Sequence, residues 1–171
     1  RGNMADRANQ MLHSARAYSE AARVINAQSN SNPALLMPSM VNAALAIEIS
    51  LKSIYFFNKK SDFKIDGKHS HDFHSLYLQL PDEIRSAIDS HFKKSIANRS
   101  MSDVESAELH SKVKVPLELE SILKSWSRVF TDMRYLYDAV EQGQPRTMMF
   151  FPEIEAALLN AIKTVCSNFK P

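Results

Sequence analysis

The sequence predicts an all-α protein, and three observations support that prediction. Apolar residues recur at steps of three and four over several long segments, which is typical of amphipathic helices. Glycine occurs three times in 171 residues, so the left-handed backbone positions that tight hairpins need are scarce. Pro81, Pro116 and Pro152 are each followed by acidic residues, as at the first turn of a helix. We therefore predict an antiparallel, up-and-down bundle of about five to six helices.

The length and composition fit one folded domain over residues 1–171. An apolar fraction of 44% and a charged fraction of 23% are ordinary for a globular protein, and they argue against a disordered chain. A chain of this length buries a core without disulfides or metals. Residues 1–3 precede a methionine, as a cloning remnant does, and we set them aside. The formal charge of +2 permits an anionic partner without requiring one.

The cysteine content and the apolar segments indicate a cytoplasmic protein without membrane contact. A single cysteine, Cys166, excludes an internal disulfide framework and fits a reducing compartment. The polar stretch from Met4 has no apolar centre of a signal peptide. The most apolar segment, residues 40–57, contains Glu48 and Lys52, which a lipid-facing helix would not accept cheaply.

The first half of the chain reads as two long helices. Residues 4–27 have apolar positions on one face, and the Asn- and Ser-rich run 28–33 reads as a loop. A second helix begins near Pro38 and ends at Asn58. It is apolar nearly all round, so we expect it to be the central and most buried helix.

The second half is predicted as shorter helices separated by polar segments. A loop over residues 59–70 leads to a short helix over 71–80, and Pro81 begins a helix that reaches about Ile96. Residues 98–115 have weak periodicity, so we expect a long loop or insertion there. The two remaining predicted helices are the longest one, from Pro116 to Gly143, and the last one, from Pro152 to about Asn168.

Two pairs of charged residues stand four positions apart on predicted helices. Glu48 and Lys52 have the Glu-before-Lys order that pairs best. They form either an intrahelical ion pair at the edge of the core or part of a polar pocket shared with another helix. Arg134 and Asp138 have the less favourable order, so they are either solvated charges or each has a partner elsewhere.

Three histidines, His69, His71 and His74, lie within six residues. Their two-residue and three-residue spacings across a loop-to-helix junction lack the fixed geometry of a helical zinc motif, so we expect hydrogen bonds at a helix start and no metal. We also expect no cofactor, because the sequence has no glycine-rich phosphate loop. Cys166 lies among apolar residues and is predicted to be a small core residue rather than a nucleophile.

Three segments in order resemble the HEPN family of helical, nucleic-acid-associated domains. They are residues 44–54 with Glu48 and Lys52, the stretch His71-Asp72-Phe73-His74-Ser75-Leu76 followed by Leu80-Pro81, and the long helix with Arg134-Tyr135-Leu136-Tyr137-Asp138. The resemblance covers roughly residues 36–142. It implies a helical bundle that is commonly a homodimer.

In the ribonuclease members of that family, an Arg, four to six intervening residues and a His from each protomer meet at the dimer cleft. The resemblance therefore implies an Arg–His pair, but no His follows Arg134 on the long helix. Arg85 and His91 have the spacing, but they lie in another predicted helix. The chain thus resembles a member without the usual motif, and we expect no ribonuclease activity of that type.

The leading hypothesis is a non-enzymatic, dimeric, HEPN-like protein of a bacterial defence or toxin–antitoxin system. It would bind a nucleotide, RNA or a partner protein, such as a nucleotidyltransferase, in a polar cleft that offers a guanidinium to phosphate and an aromatic face to a base. The predicted cleft residues are Glu48, Lys52, His71, Asp72, Arg134, Tyr135 and Asp138.

Two alternatives remain open. One is a metal-independent, toxin-like ribonuclease in which Arg134 holds phosphate and His71 acts as acid or base. The other is a purely structural network of polar residues that fixes helix register while the surface binds another protein.

Overall fold

The computed structural model describes residues 4–127 and 149–165, and it confirms the all-α prediction. The described residues form seven α-helices, one 3₁₀ turn and one two-stranded hairpin. The elements are α1 (Met4–Ser29), η1 (Pro33–Leu35), α2 (Leu36–Lys59), β1 (Lys64–Ile65), β2 (Lys68–His69), α3 (Phe73–Leu78), α4 (Asp82–Ala97), α5 (Ser102–Ser111), α6 (Leu119–Ser125) and α7 (Phe151–Val165).

Helices α1 and α2 pack side by side in opposite directions, and two buried serines of α2 bridge them. The hydroxyl of Ser53 donates to the carbonyl of Ala8 at 2.7 Å, and the hydroxyl of Ser39 donates to the carbonyl of Ala22 at 2.9 Å. The interval along each helix is fourteen residues. Because the helices are antiparallel and the two intervals are equal, one alignment of α1 against α2 forms both hydrogen bonds.

Helix α2 is the centre of the bundle, as its composition predicts. It packs against α1, α3 and α7, and its core residues include Ala44, Leu51 and Ile54, all fully buried. The stretch Pro33–Lys59 is, within the described ranges, the one stretch that length and composition would allow to cross a membrane. Its contacts with three other helices account for that apolar composition within the bundle.

A second antiparallel pair, α4 and α7, completes the core with aromatic contacts. The rings of Phe92 and Phe150 meet edge to face, with centroids 6.3 Å apart. Trp126, directly after α6, stacks on Phe151 at 4.5 Å. Offset or edge-on aromatic pairs of this kind add to the stabilisation that burial provides.

The segment 98–115 is mostly helical, which corrects the predicted loop or insertion. Helix α5 has Asp103 and Glu105 in its first turn, and Lys112 ends it in the left-handed conformation with φ 56°. Among its residues with described side chains, only Val104 is buried. A helix that meets the core at one position has no apolar periodicity, and this explains why the sequence pattern missed it.

The predicted helix from Pro116 to Gly143 is also wrong at its start. Helix α6 begins at Leu119 and ends at Ser125, where the amide of Trp126 lies within hydrogen-bonding range of three preceding carbonyls. Such a tightened turn ends the regular helix. Pro116 therefore precedes the helix, and residues 128–148 lie outside the described ranges.

The other helix boundaries differ from the predictions by a few residues. Helix α2 begins at Leu36 rather than near Pro38, because the 3₁₀ turn η1, capped by the Asn32 side chain, leads into it. Helix α3 begins at Phe73 and ends at Leu78, which is shorter than the predicted helix over 71–80.

The predicted loop over residues 59–70 contains a β-hairpin. Lys64 pairs with His69 and Ile65 pairs with Lys68, in antiparallel register. Asp66 and Gly67 connect the strands with φ values of 50° and 76°. Two positive φ angles are the mark of a type I′ turn, for which Asp-Gly is a preferred sequence. The Asp-Gly dipeptide is the feature of the sequence that could have predicted this hairpin.

Candidate functional site

Glu48 is a buried carboxylate in the middle of α2, and it has two hydrogen-bonding partners, Lys52 and His71. Its Oε1 lies 2.5 Å from Nζ of Lys52, one turn further along the helix. Nδ1 of His71, in the segment before α3, lies 2.9 Å from Oε1 and 3.1 Å from Oε2. A buried carboxylate is costly unless such partners compensate it. We call these three residues the Glu48 cluster.

The Glu48 cluster runs from the core to the surface. The side chain of Glu48 is 5% exposed, that of Lys52 is 20% exposed and that of His71 is 63% exposed. An ionised carboxylate can only accept hydrogen bonds, so Nδ1 of His71 carries the proton that it donates to Glu48. In a neutral ring Nε2 is then the basic nitrogen. The arrangement fixes the orientation of an exposed imidazole.

Of the two interpretations of the Glu48 and Lys52 pair, the structure shows the intrahelical ion pair, and the polar pocket shared with another helix stays a prediction. The two residues form an intrahelical ion pair, and a second segment of the chain shares the same carboxylate through His71. The sequence spacing pointed to the first contact. The second contact joins residues 23 positions apart, and no local rule predicts it.

Asp72, a predicted ligand-binding residue, is the N-cap of α3. Its Oδ1 accepts hydrogen bonds from the backbone amides of His74 and Ser75 at 3.0 and 3.2 Å, and its Oδ2 accepts from the Ser75 hydroxyl at 2.6 Å. These bonds satisfy two amides at the helix start that have no partner inside the helix. Asp72 thereby holds the start of α3 and the preceding segment that carries His71.

The three neighbouring histidines diverge in the structure. His69 lies on β2 opposite Lys64, His71 contacts Glu48, and Nε2 of His74 lies 3.3 Å from Oε1 of Glu120. Across residues 4–127 and 149–165, no three His, Cys, Asp or Glu side chains have an arrangement that could hold a metal ion.

Several predicted site residues cannot be compared with the structure. Arg134, Tyr135 and Asp138 lie outside the described residues, as does Cys166, so their roles stay predictions.

Arg85 and His91, which have the spacing of the ribonuclease motif, both lie on α4. Six residues place them on different faces of the helix, about 120° apart around its axis. Arg85 donates to Asp82 on the same helix, a contact that holds it at the start of α4.

Tyr77 and Asp89 form a second polar contact that the sequence did not indicate. The buried Tyr77 hydroxyl on α3 donates to Oδ1 of Asp89 on α4 at 2.8 Å. Burial, and then the hydrogen bond to Asp89, raise the pKa of Tyr77 well above its ordinary value. This contact joins two consecutive helices, and we assign it a structural role.

The hairpin and the residues that lead into it form a positively charged projection, residues 59–69, which we call the basic finger. Its base is fixed to the bundle at two points. The buried ring of Phe63 meets Tyr55 edge to face at 5.4 Å. Asp62 accepts from Arg7 of α1 at 2.7 Å. The four paired strand residues beyond this base are exposed.

A cleft of about 420 Å³ lies between α1, α2 and the start of α7, away from the Glu48 cluster. Its floor is mainly apolar and includes Met40, Ala43, Ile47 and Phe151. Small alanine and serine side chains at the contact between α1 and α2 leave this space open. The volume is within the range of small-molecule pockets.

No protein-family model matches the chain, and no curated protein or solved structure matches it. The resemblance to the HEPN family therefore stays a prediction from the sequence.

Proposed function

We propose that the protein is a non-enzymatic, HEPN-like RNA-binding protein whose binding surface contains the Glu48 cluster. The observation that carries the proposal is the buried Glu48 carboxylate that orients an exposed imidazole, His71, beside the partly exposed Lys52. An oriented imidazole offers a flat face for a base, and an ammonium group attracts phosphate. Single-stranded RNA, with its unstacked bases, suits this combination.

The wider setting of the proposal comes from the sequence resemblance. Arg134, Tyr135 and Asp138 would complete the cleft with a guanidinium, an aromatic face and a carboxylate. The protein would act in the cytoplasm as a homodimer of a bacterial defence or toxin–antitoxin system, with a nucleotidyltransferase-type protein as a partner. Light scattering on the purified protein should then give twice the 19.4 kDa mass of one chain.

Binding is measured as the fluorescence anisotropy of a labelled single-stranded RNA. The His71→Ala variant should bind severalfold more weakly than the unmodified protein, because the oriented ring is lost. His13→Ala removes an exposed histidine of α1 and should bind normally. Equal affinity of the unmodified protein and His71→Ala would contradict the proposal.

The alternative of a metal-independent ribonuclease is favoured by one observation, the carboxylate–imidazole contact between Glu48 and His71. A carboxylate that orients an imidazole is the usual arrangement of a general base. RNA incubated with the protein in EDTA should stay intact under our proposal. Cleavage that both His71→Ala and Arg134→Ala abolish would establish the enzyme instead.

The alternative in which these polar residues only stabilise the fold predicts different effects on the melting temperature. Glu48→Gln would lower the melting temperature, because the amide accepts weaker hydrogen bonds from Lys52 and His71. If that variant melts earlier, and if neither RNA nor nucleotides raise the melting temperature of the unmodified protein, the cluster serves stability and not binding.

A further inference from the structure

Positive charge exceeds negative charge around the hairpin. Arg7 and residues 59–69 together contain five of the 21 Lys and Arg residues and two of the 19 Asp and Glu residues. This region therefore carries a formal charge of +3, whereas the rest of the chain carries −1. A local excess of this kind raises the concentration of a polyanion near one surface.

The basic finger also has a defined backbone. The type I′ turn at Asp66 and Gly67 fixes the register in which Lys64 lies opposite His69 and Ile65 lies opposite Lys68. An isolated two-stranded hairpin is only marginally stable in water. Here Phe63 and the pair of Arg7 and Asp62 fix its base to the bundle. The lysines are thus presented from an anchored element.

We propose that the basic finger binds the phosphates of single-stranded RNA, so that Lys64 and Lys68 contact the backbone while the Glu48 cluster contacts the nucleotide next to it. This inference rests on the proposed function. The chain connects the two sites directly, because one residue, Ser70, separates His69 at the end of β2 from His71. Phosphate contacts of this kind give affinity and position without reading the sequence.

An anionic membrane is the competing partner for a basic projection, and the finger fits it less well. A membrane-inserting tip needs apolar or aromatic residues beside its lysines. The tip of this hairpin is Asp66 and Gly67, and the one apolar residue in its strands is Ile65, 37% exposed.

The test measures the affinity for a labelled twelve-nucleotide oligouridine from 50 to 300 mM KCl. The Lys64→Gln/Lys68→Gln variant should bind severalfold more weakly at low salt. Its log–log salt dependence should be shallower by about 1.4, because each lost phosphate contact on a single strand removes about 0.7 from the slope. The control Lys93→Gln/Lys94→Gln removes two exposed lysines of α4 and should keep the original slope.

Each outcome decides the inference. Equal changes in the finger variant and the α4 control would overturn it, because net charge rather than the finger would then matter. Failure of the unmodified protein to bind oligouridine at 50 mM KCl would overturn it as well. Binding to phosphatidylserine vesicles without binding to oligouridine would overturn it in favour of a lipid partner. Circular dichroism checks that both variants keep the helical content of the unmodified protein.

The same titration separates this inference from the proposed function. If His71→Ala leaves oligouridine affinity unchanged and the finger variant lowers it, the finger binds phosphates and the Glu48 cluster has no part in binding. If His71→Ala lowers affinity at an unchanged slope and the finger variant has no effect, the cluster binds RNA and the inference on the finger fails.

Discussion

Single residues in this bundle differ in how their polar groups are compensated. Glu48 is compensated by the Lys52 ammonium group and the His71 ring on different segments, whereas Asp72 is compensated by backbone amides at the start of α3. The two carboxylates are therefore not equivalent, although the sequence predicts both for one cleft. Replacing Asp72 would first disturb a helix start, and replacing Glu48 would first remove the hydrogen-bond acceptor that Lys52 and His71 share.

The Tyr77 hydroxyl should resist ionisation in the folded protein. Burial and the Asp89 carboxylate raise its pKa, so the group contributes stability that is present below the ordinary tyrosine pKa of about 10 and is lost as pH rises through the folded-state value. Absorbance at 295 nm should rise equally for the unmodified protein and Tyr77→Phe up to about pH 11. Circular dichroism must show that both are still folded there. One additional tyrosinate in the unmodified protein over that range would contradict the assignment.

At the scale of residues, the sequence predicts contacts within a helix and misses contacts between segments. The four-residue spacing of Glu48 and Lys52 implies their pairing. The contact of Tyr77 with Asp89 depends on how α3 turns into α4, and no spacing rule describes that turn. The meeting of His71 with Glu48 followed only from the family resemblance, which placed both in one cleft.

At the scale of elements, the register of α1 and α2 depends on two hydroxyl groups. Ser53→Ala should lower the free energy of unfolding by about 1 kcal/mol, the usual net value of one buried hydrogen bond. Urea denaturation followed by circular dichroism measures this change. Ser14→Ala is the control, because that exposed hydroxyl bonds within its own helix to Gln10 and its loss should cost less than about 0.5 kcal/mol. Equal stability of the two variants would show that the bridge to Ala8 has no net value.

Helices with a long apolar face were predictable, whereas α5 and the hairpin were not. Helices α1, α2 and α7 extend over 26, 24 and 15 residues, enough for several repeats of the apolar spacing. Helix α5 buries Val104 without a periodic apolar face, and the hairpin strands have two residues each, too few for an alternating pattern. Their signals are local ones, such as the Asp-Gly dipeptide and the acidic first turn of α5.

At the scale of the whole molecule, Arg99 joins the consecutive helices α4 and α5 to α7, which is distant in sequence. It follows the end of α4, donates to Glu153 of α7 and lies 3.7 Å from Asp103 of α5. Its guanidinium also lies over the ring of Phe150, 5.2 Å from the centroid. The side chains of Arg99 and Glu153 are 24% and 15% exposed, so solvent compensates this pair weakly.

Arg99→Met should therefore destabilise the protein by about 2 kcal/mol, because Glu153 keeps its charge in a mostly buried position without that cation. Combining it with Glu153→Gln should recover part of the loss, as expected for two residues that interact. Arg23→Met removes one partner of the exposed pair of Arg23 and Glu20 and should cost less than about 0.5 kcal/mol. Urea denaturation measures five proteins, namely the unmodified protein, Arg99→Met, Glu153→Gln, their combination and Arg23→Met. Strictly additive losses for Arg99 and Glu153 would contradict the proposed coupling.

The hydrogen bonds of Ser39 and Ser53 also determine which kind of residue α1 needs at the two contacts. Both acceptors are backbone carbonyls, and the residues that carry them, Ala8 and Ala22, are 0% and 7% exposed. Helix α2 therefore selects its partner by a polar group at each contact, whereas α1 only has to be small there. Glycine in place of Ala8 or Ala22 would leave both acceptors in place, so the side chains that encode these two hydrogen bonds all belong to α2.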